Sequence, residues 1–116
     1  MKIRIKDNSV RLRLTRSEID MLGTTGEVSC RTEFVHQPFV YSIVQTNIEG
    51  LLASFSDNKI LIGLSAAMVR ELVQTERIGF EGQSGKVKVL VEKDFACIDN
   101  TAEDQSDNFP NPNLQC

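Results

Sequence analysis

The chain has 116 residues, 41% of them hydrophobic and 25% charged, with no Trp and a formal net charge of -3. This is the length and composition of one folded domain around one core. No apolar run approaches the ~18 residues of a membrane-spanning helix, and the opening Met1-Lys2-Ile3-Arg4-Ile5-Lys6 is charged at every second position, unlike a signal peptide. A cytoplasmic location without membrane association is expected. Three widely spaced cysteines, Cys30, Cys97 and Cys116, argue against a disulfide framework and for a reducing compartment.

In chain order, Ile3-x-Ile5 alternates with the period of a half-buried strand. Asp7-Asn8 then supplies residues that tolerate positive φ in a tight hairpin turn. Val10-x-Leu12-x-Leu14 is the returning strand, and Thr15-Arg16-Ser17-Glu18 is a capping box that starts a short helix carrying Ile19 and Leu22. Gly23 is its expected C-terminal stop. Glu27–Phe34 and Phe39–Val44 predict a second hairpin around His36-Gln37-Pro38.

The same grammar then restarts. An offset of 50 residues superposes Asp7-Asn8 on Asp57-Asn58, Leu12 on Ile62, Leu14 on Leu64 and Leu22 on Leu72. Ala53 and Phe55 take the places of Ile3 and Ile5, and Ser65 caps a helix carrying Met68, Val69, Leu72 and Val73. Arg77–Glu81 and Lys86–Lys93 predict the last hairpin, around Gly82-Gln83-Ser84-Gly85. The expected fold is mainly β with two short helices: two ββαββ repeats, 1–48 and 51–96, closing a pseudo-twofold β-barrel as one domain over 1–96. Residues 97–116 read as an acidic, partly disordered tail, with Phe109, Pro110 and Pro112 as an apolar anchor.

Charge is unevenly placed. Residues 1–16 hold Lys2, Arg4, Lys6, Arg11, Arg13 and Arg16 against the single acid Asp7, whereas 94–116 hold five acids and no Lys or Arg. Alternation puts Lys2, Arg4 and Lys6 on one face of the first strand, with Arg11 and Arg13 on the same face of the second. A turn centred on Asp7-Asn8 sets Arg4 opposite Arg11 and Lys2 opposite Arg13, an unfavourable like-charge arrangement. Three explanations fit: nucleic-acid phosphate, the acidic tail or a protein partner, or a solvated strand guarded from aggregation. In the second copy the six bases become Leu52, Ser54, Ser56, Leu61, Gly63 and Ala66. Leu52 and Leu61 would then form an outward apolar contact patch.

The order strand–turn–strand–capped helix–hairpin, carried by Lys6-Asp7-Asn8-Ser9-Val10 and Leu14-Thr15-Arg16-Ser17-Glu18, resembles the AbrB/MazE-like swapped-hairpin family of bacterial regulators and antitoxins. That resemblance implies an interlocked DNA-binding barrel, here fused in one chain, with basic side chains in only one of its two halves. The chain also resembles a family of small uncharacterised bacterial proteins. These open like Met1–Leu14 and end like Glu92-Lys93-Asp94-Phe95-x-Cys97 with an acidic Phe109-Pro110-Asn111-Pro112 tail.

No catalytic residue, cofactor or metal is assigned. His36 and the cysteines lack ligand spacing, and His36 has no neighbouring nucleophile. Cys30 and Cys97 read as small apolar strand residues, and Glu103-Asp104 lies where acid–base catalysis would lack positioning. The expectation is a non-enzymatic binding or regulatory module acting through protein or self-interaction. The alternatives are a nucleic-acid-binding regulator using the basic hairpin, and a small-ligand binder or enzyme, which needs a concave pocket.

Overall fold

The computed structural model describes residues 1–95. The acidic tail, its Phe109-Pro110-Asn111-Pro112 anchor, Cys97 and Cys116 lie outside the described residues. The elements run β1 (Lys2–Lys6), β2 (Ser9–Leu14), α1 (Arg16–Thr25), β3 (Glu27–Glu33), β4 (Pro38–Thr46), β5 (Leu52–Ser56), β6 (Lys59–Ser65), α2 (Ala66–Gln74), β7 (Gly79–Ser84) and β8 (Val87–Lys93).

Local chemistry accounts for the turns and helix starts. Asp7, Asp57 and Asn58 all adopt positive φ, between 49° and 60°, so the β1–β2 and β5–β6 hairpins reverse on residues that bear that conformation at little steric cost. The capping box forms: the Thr15 hydroxyl accepts from the Glu18 N–H, and the Glu18 carboxylate accepts from the Thr15 N–H at 2.9 Å. Ser65 caps α2 through the Met68 N–H.

Two expected boundaries are corrected. Helix α1 runs past Gly23 and stops at Gly26, whose φ of 82° lets its N–H reach the Leu22 carbonyl at 2.9 Å. Gly23 serves helix packing instead, since a Cβ there would lie 2.7 Å from Val73 Cγ2 on α2. In the last hairpin Gly82, Gln83 and Ser84 belong to β7, and the turn is Gly85-Lys86. Gly82 is a strand residue because the Leu51 side chain lies across it, where a Cβ would meet Cδ1 at 2.7 Å.

Among the described residues the strands form two four-stranded sheets, sheet A in the order β1-β2-β8-β7 and sheet B in the order β3-β4-β6-β5. Each sheet has two antiparallel hairpins joined by a central parallel pair, β2 with β8 and β4 with β6. The hairpin that follows each helix thus lies in the other sheet from the hairpin that precedes it.

The expected closed barrel is not formed. Closure would need a backbone ladder between the outer strands. Between β5 and β7 a side chain takes its place: Ser84 Oγ accepts from the Ala53 N–H at 3.0 Å and donates to the Ala53 carbonyl at 3.4 Å. Elsewhere the Tyr41 hydroxyl donates to the Met1 carbonyl at 2.9 Å. Inside, the fully buried Leu12, Leu14, Leu22, Ile43, Ile62, Leu64, Leu72, Val89 and Val91 belong to one cluster drawn from both sheets and both helices. No helix among the described residues is long and apolar enough to cross a membrane.

Candidate functional site on the outer face of sheet A

The register of β1 on β2 sets Lys2 opposite Arg13, Arg4 opposite Arg11 and Lys6 opposite Ser9, as a turn on Asp7-Asn8 requires. Val10, Leu12 and Leu14 alternate with these bases and point into the core, so Lys2, Arg4, Lys6, Arg11 and Arg13 share the outer face. Arg16 does not join them. It stands in the first turn of α1 and lines a groove of about 600 Å³ between the helices and the end of β8, floored by Leu14, Ile19, Leu72 and Val73.

The parallel β2–β8 pairing brings acids to this face, with Arg13 opposite Glu92 and Arg11 opposite Leu90. Arg11 Nε lies 3.0 Å from Glu92 Oε1. This is ion-pair distance, but off the line of a hydrogen bond, because that oxygen accepts none among the described residues. Lys2 Nζ lies 3.1 Å from Asp94 Oδ2, and Lys88 Nζ lies 3.5 Å from Glu81 Oε1. Lys6, Arg13 and Arg16 make no ion pair among the described residues. The face is therefore rich in cations at β1–β2 and mixed in sign at β8–β7. Glu92 and Asp94 were not legible in the sequence as partners of the first hairpin: alternation says which face a residue takes but not which distant strand lies beside it.

The outer face of sheet B is uncharged at its centre. Leu52 pairs with Gly63 and Leu61 with Ser54; Leu61 in turn faces the fully buried Ser42, whose hydroxyl bonds that of Ser29. Leu52 and Leu61 thus point outward, Leu52 exposed and Leu61 half-buried.

Other reactive groups are scattered. His36 is exposed in the β3–β4 loop, and Cys30 is a free, half-buried thiol 3.9 Å from Glu18 Oε2. No three His, Cys, Asp or Glu side chains among the described residues are grouped to hold a metal ion. Glu18 also receives the Met1 α-amino group. Burial alone would raise the Glu18 pKa, but hydrogen bonds from that amine and from Thr15 outweigh it and hold the carboxyl below its ordinary range. For the amine, burial acts to lower the pKa, and Glu18 with Cys30 more than reverses it, giving a raised value.

A family model matches residues 1–113. The chain belongs to that family, a family of unknown function (DUF7009). No curated protein and no solved structure matches the chain. The membership agrees with the likeness to a small uncharacterised family, while no match links the chain to AbrB/MazE-like regulators.

Proposed function

We propose that the protein is a non-enzymatic binding module that holds an acidic segment of a partner protein along the outer face of β1–β2. The observation that carries this reading is the in-register stacking of like charges, Arg4 on Arg11 and Lys2 on Arg13. Such pairs are unfavourable by themselves; Glu92 and Asp94 already answer Arg11 and Lys2, and carboxylates laid across the two strands answer Lys6 and Arg13, which make no ion pair among the described residues. The acids beside them favour a peptide over nucleic acid. A continuous phosphate backbone crossing sheet A would be driven against Glu81, Glu92 and Asp94. A flexible acidic peptide can lie along β1–β2 alone and keep clear of those acids.

The same reading treats the chain as a duplication whose halves have diverged in charge. Its support is the recurrence of register in the hairpin that precedes each helix: Lys2 opposite Arg13 returns as Leu52 opposite Gly63, and Arg4 opposite Arg11 returns as Ser54 opposite Leu61. One outer face then serves recognition of charge, while the matching face of sheet B is neutral.

The test is a nuclear magnetic resonance titration of the full chain with a polyglutamate peptide and, separately, with duplex DNA. The reading expects salt-sensitive shifts along Lys2–Lys6 and Ser9–Arg13 with the peptide, and weaker binding of DNA. Tighter binding of DNA on those strands would replace the reading with a nucleic-acid module. Peptide shifts confined to sheet B would discard it.

A further inference from the structure

We infer that the chain's own acidic segment after Phe95 lies on this basic face in cis, as an internal competitor of the partner. The inference rests on the reading of the β1–β2 face given above. It starts from where the described chain ends. The Asp94 N–H donates to the Leu14 carbonyl at 2.8 Å, so β8 is held beside β2 to its last residue, and the Asp94 carboxylate already pairs with Lys2. The segment is therefore delivered at the edge of the face, directly after an acid that is already engaged there.

Charge and reach then match. Residues 96–116 carry Asp99, Glu103, Asp104 and Asp107 and no Lys, Arg or His. From Lys2 to Lys6 along β1 is roughly 13 Å at ~3.3 Å per residue, and the five residues from Asp94 to Asp99 span up to about 17 Å when extended. Every acid of the segment can thus reach Lys6 and Arg13, which make no ion pair among the described residues. A tether this short gives an effective concentration in the millimolar range, so even a weak contact in cis competes with a partner in solution.

Zero-length carbodiimide cross-linking of the dilute full chain, followed by digestion and mass spectrometry, tests the contact. The expected result is a salt-sensitive link from Lys6 to Asp99, Glu103, Asp104 or Asp107 at monomer mass. Links to these acids found only at dimer mass, or none from Lys6 to them, overturn it. A full-length variant with Asp99→Asn, Glu103→Gln, Asp104→Asn and Asp107→Asn should bind polyglutamate more tightly, on the order of tenfold. Equal binding by this variant and the unaltered chain sinks the competitor and leaves the binding face standing. Monomeric cross-links without polyglutamate binding by either form would support the contact in cis and reject the proposed function.

Discussion

Lys2 Nζ and Asp94 Oδ2, 3.1 Å apart, tie the first strand of the chain to the end of the last. The Lys2 side chain is 75% exposed and that of Asp94 16%, so water screens the pair from the lysine side and it contributes no more than about 1 kcal/mol. Asp94→Asn should lower the urea unfolding free energy by no more than that, with the difference shrinking as salt is added. A loss of several kcal/mol would mean that this contact anchors β8 to the sheet.

The core joins both halves of the chain. Leu14 and Leu64 are 1% and 0% exposed and belong to one cluster. Leu14→Ala and Leu64→Ala should each cost about 2–5 kcal/mol, and each should shift one cooperative transition seen alike by circular dichroism and Tyr41 fluorescence. Two separated transitions would show that the halves fold independently.

Backbone packing fixes the start of β7. A Cβ on Gly79 would lie 2.3 Å from the Val91 carbonyl oxygen and 2.8 Å from Glu92 Cα, neither of which can rotate away. Gly79→Ala is expected to destabilise by about 1–3 kcal/mol, read from the chemical unfolding midpoint. An unchanged midpoint would mean that β7 does not pack against β8 there.

The Met1 amine and Glu18 carboxylate make stability depend on pH at both ends. The Glu18 pKa is lowered on folding, so its contribution is present above the ordinary 4.5 and is lost as pH falls through the folded value. The amine pKa is raised, so its contribution is complete below the ordinary 8.0 and is lost as pH rises through the folded value. Glu18→Gln should flatten both limbs of the stability profile, measured by thermal unfolding across pH. Retention of the alkaline limb in that variant would assign the amine another partner.

Much of this fold was legible because its signals are local. Alternation around Asp7-Asn8 and Asp57-Asn58 gave the hairpins and the core positions Leu12, Leu14, Ile62 and Leu64, and Thr15 with Glu18 gave the helix start. The parallel pairing of β2 with β8 was not legible, because it joins the two ends of the sequence without a local cue. For that reason alternation leaves the partners of Lys2 and Arg11 open among phosphate, the acidic tail, a protein partner and solvent, and does not single out Asp94 and Glu92. Gly23 and Gly82 misled for a related reason. A glycine that stops a helix or turns a hairpin looks the same in sequence as one over which Val73 or Leu51 lies.

The most direct measurement of the central claim is the affinity of the full chain for polyglutamate, compared between the unaltered protein and a Lys6→Glu, Arg13→Glu variant. Both side chains are exposed, so the variant should unfold at the same midpoint. The account predicts binding weaker by on the order of tenfold at low salt, a difference that closes as salt is raised. Equal affinity in a folded variant would contradict it.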